Sequence, residues 1–202
     1  FFDAKSGDFK ALSGQGTAAG KATPNYFTSK GYDAIPTGPG NGAPLSFTVP
    51  GVVAACLSLL SKYGTKTVGD VLTPSIEYAE SGIPNYEYML ERLKVGESLS
   101  QFKLFPPGGL EIFFCNGNIP EPGSILVQSA LGGILRKMAD AESSAGNDRQ
   151  NGIAAARDCF YRGEIADLIG AASDRVGGIL TKSDLAGYQE EYSQPVSTSY
   201  QG

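Results

Sequence analysis

The sequence contains no histidine among its 202 residues. This absence excludes Ser-His-Asp and Cys-His catalytic arrangements and most zinc sites from the chain. If the chain belongs to an enzyme, a carboxylate, a lysine, a terminal amine or residues on another segment must transfer the proton. We expect the chain to bind no metal and no cofactor.

Cysteines and long apolar runs are also scarce. Cys56, Cys115 and Cys159 are far apart and odd in number, so they cannot form a complete internal set of disulfides. We predict that they are small buried apolar residues without chemistry of their own. The longest apolar run, residues 52–60, is about half of the roughly 20 residues that a membrane-spanning helix requires. The sequence therefore predicts no transmembrane helix.

The charge balance narrows the class of partner. The chain has 21 acidic and 16 basic residues, a net charge of -5, and no run of lysine or arginine. This composition argues against nucleic acid or an anionic membrane as the main partner. The sequence opens on FFDAKSGDFK, without methionine or a signal-peptide pattern, so we expect a piece of a longer protein. Its compartment is not fixed by the residues, and we favour the cytoplasm over the periplasm or secretion.

Glycine and proline are abundant, with 27 and 12 residues, and residues 14–23, GQGTAAGKAT, resemble two nucleotide-binding motifs. A phosphate loop requires glycine five positions before Gly20 and a hydroxyl residue after the lysine. This chain has Gln15 and Ala22 there. A dinucleotide motif requires the glycines to open a crossover helix, which Pro24 and the later prolines are expected to prevent. Both nucleotide-binding interpretations are therefore excluded.

Turn chemistry and hydrophobic periodicity predict a helix-rich chain with few strands. A hairpin is expected over residues 1–13, followed by a long glycine- and proline-rich connection to residue 50. Gly64 is expected to end the first main helix in the left-handed conformation, and Thr67 and Thr181 to begin capping boxes. Helices are predicted over residues 50–63, 67–82, 85–94, 124–142, 154–161 and 164–174, and a second helix start is expected at residues 73–74. A hairpin is predicted over residues 110–117 and extended chain over residues 188–200.

Four ordered motifs carry a family resemblance. They are residues 49–64, beginning VPGVV and ending KYG, residues 72–82 (LTPSIEYAESG), residues 160–166 (FYRGEIA) and residues 177–188 (GGILTKSDLAGY). Together they resemble the large subunit of the gamma-glutamyltransferase family of N-terminal nucleophile hydrolases, and the similarity extends over nearly the whole chain. Residues 44–51 and 195–202 are more similar to amidohydrolase-like members, such as oxamate amidohydrolase and cephalosporin acylase-like proteins.

The resemblance implies an α+β fold, part of an αββα four-layer sandwich. Residues 1–202 would form a single incomplete domain of the large subunit, with many helices and a small β contribution. It also implies a precursor that cleaves itself and exposes a threonine at the start of a small subunit, the partner of this chain. That threonine attacks an amide with its own amine as the base, which is chemistry that needs no histidine.

The resemblance also implies where this chain departs from its relatives. The nucleophilic threonine belongs to the small subunit, so no catalytic residue is expected here. Relatives hold the substrate carboxylate with an arginine at the position of Gln15 or of Thr17, and this chain has neither arginine. We predict that Gln15, Gly16 and Thr17 contact the substrate through amide, backbone N–H and hydroxyl groups, with a plain turn as the alternative. Lys21 either replaces the missing charge or is simply solvated.

Three functions remain open from the sequence. The favoured one is the large-subunit portion of a self-processing amide hydrolase that acts on a small amide or gamma-glutamyl-type compound. The second is a true gamma-glutamyl hydrolase or transpeptidase of glutathione metabolism, with carboxylate-binding residues outside this chain. The third is an inactive family member with a binding or structural role.

Overall fold

The computed structural model describes residues 1–36, 42–95, 98–104 and 109–200, which form ten α-helices and six short strands. In chain order the elements are β1 (Phe2–Asp3), β2 (Asp8–Phe9), β3 (Ala11–Ser13), α1 (Pro24–Ser29), a 3-10 turn (Ala43–Ser46), α2 (Gly51–Tyr63), α3 (Val68–Ser81), β4 (Ile83–Pro84), α4 (Glu87–Lys94), α5 (Ser98–Leu104), α6 (Leu110–Phe113), β5 (Ile125–Leu126), α7 (Ser129–Ser144), α8 (Arg149–Tyr161), α9 (Glu164–Arg175), α10 (Lys182–Ala186) and β6 (Glu191–Ser193).

The core lies among the main helices. Helix α7 packs between α3 and α8, α2 packs against α8, and α9 and α10 continue the layer beyond α8. The side chains at its centre are almost completely buried, among them Val68, Ala156, Ile165 and Leu185. None of the helices in the described part of the chain is long and apolar enough to cross a membrane.

Helix α3 begins at the predicted capping box. The Thr67 hydroxyl accepts a hydrogen bond from the Asp70 amide at 3.0 Å, and the Asp70 carboxylate accepts one from the Thr67 amide at 3.1 Å. The next two amides, of Val68 and Gly69, donate to the buried carboxylate of Glu142 on α7, at 2.6 and 2.7 Å. Two carboxylates therefore satisfy the first amides of this helix, which would otherwise lack partners.

Two predictions about helix boundaries are wrong. No new helix starts at Pro74, because α3 runs through it, and the Thr73 hydroxyl donates to the Gly69 carbonyl at 2.8 Å. A proline within a helix removes one backbone hydrogen bond, which tertiary packing can offset. Gly64 does end α2, but in extended rather than left-handed conformation, with φ -81° and ψ 163°. Gly82 ends α3 with φ 88°, as its position in the sequence predicts.

The connection after β3 contains a helix that the sequence analysis missed. Thr23 caps α1 by accepting a hydrogen bond from the Tyr26 amide at 3.2 Å, and Pro24 occupies the first helical position. Pro24 is compatible with this short helix, since proline has no N–H to satisfy at the first helical position. Even so, α1 ends at Ser29, and all strand pairs in the described ranges are antiparallel. The crossover helix of a dinucleotide fold is not formed there.

The predicted hairpin over residues 110–117 is also corrected. Leu110–Phe113 form the short helix α6, so the strand prediction is wrong. The turn itself is present: Asn116 and Gly117 have φ of 51° and 76°, and Cys115 pairs with Asn118 across them. A short apolar run does not by itself distinguish strand from helix.

The strands form two-stranded antiparallel sheets. The predicted N-terminal hairpin is confirmed over β1 and β2, where Phe2 pairs with Phe9, but residues 11–13 do not belong to it. A second sheet pairs Ile83 of β4 with Leu126 of β5. Because residues 125–126 pair in this way, α7 begins at Ser129, later than predicted. The third sheet joins β3 to β6, from opposite ends of the chain. The predicted α+β, helix-rich fold with a small β contribution is confirmed.

The cysteines are less buried than predicted. Cys56 and Cys115 are exposed and Cys159 is partly buried, and all three are free thiols. The buried residues of α2 include Ala54, Ala55 and Leu57. Cys56 is not among them and lies outside the contact with α8. Cys56 therefore does not belong to the buried face of this helix.

Candidate functional site

The predicted site residues lie in residues 14–20, a stretch that we call the glycine segment. It leaves β3 and runs beside residues 48–49. The Val49 amide donates to the Thr17 carbonyl at 2.9 Å, and Ala18 pairs with Thr48 in an antiparallel bridge. The segment is thus an ordered edge of the fold.

Close backbone packing explains two of the glycines. A Cβ atom on Gly16 would overlap the carbonyl oxygen of Val49 and lie 2.8 Å from its carbonyl carbon. A Cβ atom on Gly51 would overlap the Tyr188 hydroxyl and lie 2.6 Å from the Gly14 carbonyl oxygen. Only glycine fits at these two positions unless the backbone moves.

The three predicted site residues are brought together on one exposed edge. Gln15 and Thr17 are exposed and Gly16 is half-buried, whereas Ala19 is only 4% exposed. Lys21, the other candidate, is exposed as well. The buried Ala19 ties the segment to the core while the side chains before it face outward. Substrate contact by Gln15, Gly16 and Thr17 stays a prediction.

The chain around α10 binds the glycine segment at both ends. The Tyr188 hydroxyl donates to the Gln15 carbonyl at 2.8 Å, and the Gly20 amide donates to Asp184 Oδ1 at 2.8 Å. The other carboxylate oxygen, Oδ2, accepts from the Thr181 amide and hydroxyl at 2.8 and 2.6 Å, which completes the predicted capping box of α10.

The environment of Asp184 favours its charged form. Burial raises the pKa of this carboxyl, but hydrogen bonds from the Thr181 side chain and from the Gly20 and Thr181 amides outweigh burial. The net pKa lies below its ordinary value, with a further contribution from the charge of Lys21. At neutral pH Asp184 is therefore a carboxylate that accepts hydrogen bonds through both oxygens.

Tyr161 supports the same region from α8. Its hydroxyl donates to the Pro50 carbonyl at 2.5 Å and accepts from the Ala54 amide at 2.9 Å. Pro50 is the N-cap of α2 and makes no side-chain hydrogen bond there, so Tyr161 supplies a cap from a distant element. Burial raises the pKa of Tyr161 to about 12, and the phenol is neutral at physiological pH.

An ion pair completes the support. Arg157 lies 2.9 Å from the Glu190 carboxylate and donates to the Tyr188 carbonyl at 3.0 Å. Burial raises the pKa of Glu190, but hydrogen bonds from its own amide and from Ser58, together with Arg157, outweigh burial and hold the pKa below its ordinary value. Tyr188 is thus held through its carbonyl and its hydroxyl.

Three of the four family-like motifs contribute to the glycine segment or to its support. Residues 49–51 pack against it, residues 160–166 contribute Tyr161, and residues 177–188 contribute Asp184 and Tyr188. The sequence analysis did not assign roles to these three side chains. No single motif reveals these contacts. Only the presence of all three motifs, in the same order along the chain as in the family, could have pointed to these side chains.

The glycine segment presents polar groups that can bind a ligand. In the described ranges, no three histidine, cysteine or acidic side chains lie close enough together to hold a metal ion. What the segment does offer is an amide, a hydroxyl and a backbone N–H on an exposed edge, backed by a rigid layer of tyrosines and an ion pair. Such groups suit a neutral or weakly charged polar ligand.

Comparison with known proteins identifies the family. Residues 1–202 match the family described as Gamma-glutamyltranspeptidase. The chain therefore belongs to the gamma-glutamyltranspeptidase family, as the resemblance of its motifs predicts.

Individual relatives agree with this assignment. The chain is 27% identical over 201 residues to a glutathione hydrolase proenzyme of Bacillus subtilis, covering 100% of this chain and 31% of the relative. It is 26% identical over 200 residues to an oxamate amidohydrolase proenzyme of Klebsiella pneumoniae, covering 96% and 34%. The crystal structure of Helicobacter pylori gamma-glutamyltranspeptidase superposes with a TM-score of 0.81 at 29% identity, covering 100% of this chain and 53% of that one.

The two curated relatives are matched over only part of their length and at similar identity. The chain spans about a third of the length of the two curated relatives. The identities to the glutathione hydrolase and to the oxamate amidohydrolase are nearly equal, so overall identity does not choose between the two kinds of relative. The closer similarity to amidohydrolase-like members that residues 44–51 and 195–202 indicate stays a prediction.

Proposed function

We propose that this chain is the large-subunit portion of a self-processing amide hydrolase whose nucleophile is the N-terminal threonine of a separate small subunit. The match of residues 1–202 to the family supports the proposal. The names of the relatives, glutathione hydrolase proenzyme and oxamate amidohydrolase proenzyme, support a precursor that acts on an amide bond. In the assembled protein this chain supplies part of the αββα four-layer sandwich, as a single incomplete domain.

The proposed reaction uses the threonine of the partner chain. Its hydroxyl oxygen attacks the amide carbon while its free amine takes the proton, and the amine of the substrate leaves with a proton. Water then attacks the resulting ester and releases the acid. This sequence of steps needs no histidine, metal or cofactor from the present chain.

The role that we assign to this chain is to bind the substrate at the glycine segment. Gln15 and Thr17 have exposed side chains that can donate and accept hydrogen bonds, and Gly16 allows close approach to the backbone. A neutral donor binds a carboxylate less strongly than a guanidinium does. We therefore infer a small amide substrate that lacks the alpha-carboxylate of a gamma-glutamyl group.

A second candidate is a gamma-glutamyl hydrolase or transpeptidase. The name of the Bacillus subtilis relative, at 27% identity, favours it. In this case, residues outside the present chain would hold the carboxylate. An inactive member with a binding role is the third candidate, and it requires that the downstream threonine be absent.

The test begins with the full-length precursor that contains this chain. After purification, the smaller product is sequenced from its N-terminus, and a threonine there is expected. An uncleaved precursor without this threonine would contradict an enzymatic role.

The substrate is then tested by comparing hydrolysis of a gamma-glutamyl anilide with hydrolysis of simple amides that carry no carboxylate. We expect the simple amides to be preferred. Efficient hydrolysis of the anilide would favour the second candidate.

A further inference from the structure

The glycine segment is bound at its two ends by residues four positions apart. Tyr188 contacts Gln15 and Asp184 contacts Gly20, both at 2.8 Å. Asp184 lies on the short helix α10, and Tyr188 follows Gly187, the residue that caps the end of this helix. A single element thus fixes where the segment starts and where it ends. The contact at Gln15 is the more informative, because it lies beside the predicted substrate contacts.

Tyr188 is fixed before it contacts the segment. Its side chain is buried, with 4% exposure, and its ring stacks on that of Tyr161 with centroids 5.9 Å apart and an interplanar angle of 17°. Arg157 holds its backbone carbonyl at 3.0 Å. Little conformational freedom remains to be lost when the hydroxyl binds the Gln15 carbonyl.

The contact with the Gln15 carbonyl orients the peptide group that follows. In a trans peptide the C=O and N–H point in opposite directions. Since the Gln15 oxygen points at the buried Tyr188, the Gly16 N–H points away from Tyr188. Among the residues that the structure describes, no acceptor for this N–H is found. The close packing of Gly16 on Val49 leaves no room for a side chain that could shield it.

We propose that Tyr188 is a positioning residue for substrate binding: its hydroxyl holds the Gln15 carbonyl and thereby directs the Gly16 N–H toward the substrate amide. The proposal rests on the function proposed above and names the group that receives the substrate. An unpaired backbone N–H at a glycine is suited to a carbonyl or carboxylate oxygen, since it approaches the ligand without a side chain in the way.

The test uses Tyr188→Phe in the mature, processed enzyme. This variant keeps the ring and its stacking on Tyr161 and removes only the hydroxyl. Tyr192→Phe is the matched control, because its hydroxyl is hydrogen bonded to Ser58 on α2 at 3.0 Å and not to the glycine segment. Both variants are compared by thermal unfolding, by KM and kcat on the best amide substrate, and by hydrogen exchange of residues 14–20.

We expect Tyr188→Phe to raise KM roughly three- to tenfold, the effect of one lost hydrogen bond, with a smaller change in kcat. Hydrogen exchange of residues 14–20 is expected to become faster. Tyr192→Phe should change neither. Faster exchange with an unchanged KM overturns the positioning role, and so does unchanged exchange.

A loss of thermal stability alone, without the change in KM, also counts against the proposal. If the mature protein hydrolyses no amide at all, the proposed function fails. The exchange measurement still decides whether Tyr188 orders the segment, so the two failures are distinguishable.

Discussion

The caps of α3 and α10 have the same pattern, Thr-x-x-Asp, but they are attached to different parts of the molecule. At α3, Asp70 binds only its own cap, and the neighbouring amides are taken by Glu142 from α7. At α10, Asp184 completes the cap and also accepts the Gly20 amide from the glycine segment. One cap therefore joins two helices of the core, and the other joins a helix to the candidate substrate site.

A capping box thus fixes a local conformation but not a role. Both caps form from four consecutive residues, as the sequence predicts. Their further partners are distant in the sequence: Glu142 is 74 positions from Val68, and Gly20 is 164 positions from Asp184. Variants at the two caps should therefore differ in whether they change stability alone or stability together with substrate binding.

The largest effect is expected from Glu142→Ala. The variant removes a carboxylate that is only 8% exposed and leaves the Val68 and Gly69 amides without partners. We expect a loss of about 3 kcal/mol in the free energy of unfolding, measured by denaturant unfolding of the mature protein. Substrate specificity should not change, because the contact lies within the helical core.

The matched control for Glu142 is Glu80, which also joins α3 to α7. Its carboxylate pairs with Arg136 at 2.6 Å, but both side chains are well exposed. Glu80→Ala should therefore change stability very little. Equal losses in the two variants would contradict the assignment of Glu142 as the buried cap.

Asp184→Ala is expected to have the second largest effect. It removes the cap of α10 and the anchor of Gly20 together, for which we expect a loss of about 2 kcal/mol. Asp70→Ala removes a cap alone and should cost less. Hydrogen exchange at residues 14–20 should become faster only in Asp184→Ala. If both variants behave alike, the contact with Gly20 contributes nothing.

Thr17→Arg tests whether a positive charge on the glycine segment changes the substrate preference. An exposed arginine on the glycine segment can bind a carboxylate through two hydrogen bonds. We expect kcat/KM for a gamma-glutamyl anilide to rise about tenfold, with little change for simple amides. Ser29→Arg, an exposed position on α1, adds the same charge outside the segment and serves as the control. A similar gain in both variants would indicate a nonspecific charge effect.

The smallest effect concerns pH. The pKa of Asp184 in the folded protein lies below its ordinary value of 3.8, so the stabilisation from this group is complete above that value. It is lost as the pH falls through the lower, folded-state pKa, because the protonated carboxyl is a weaker acceptor. The difference in unfolding free energy between wild type and Asp184→Asn should therefore shrink as the pH falls below about 4. A constant difference at these acidic pH values contradicts the lowered pKa of Asp184.

Local signals in the sequence predicted local structure well. The capping boxes at Thr67 and Thr181, the stop at Gly82 and the turn at residues 116–117 are all present. Each depends on a side chain that hydrogen bonds a nearby amide, or on a residue that tolerates positive φ. Such preferences are carried by a few consecutive residues, and sequence analysis can detect them.

The predictions that failed depend on packing. The run at residues 110–114 is apolar enough for a strand or a helix. Pro74 lies inside a helix that neighbouring helices stabilise. The exposure of Cys56 depends on which face of α2 meets α8. No pattern within these segments specifies the element that lies against them.

The candidate site could be predicted only in part. Resemblance to relatives directed attention to Gln15, Gly16 and Thr17, and the structure places them on one exposed edge. The groups that hold this edge, Tyr188 and Asp184, come from the far end of the chain. Hydrogen bonds of that kind have no signature in a single sequence.

The pairing of Gln15 with Tyr188 has a consequence for biosynthesis. The two residues are 173 positions apart, and Gly20 and Asp184 are 164 apart. At about 5–20 residues per second, a ribosome needs on the order of ten to thirty seconds to produce the intervening chain. During that time the glycine segment can form hydrogen bonds only with residues that have already been synthesised, such as Val49. The edge proposed to bind substrate is thus among the last parts of this chain to acquire its final shape.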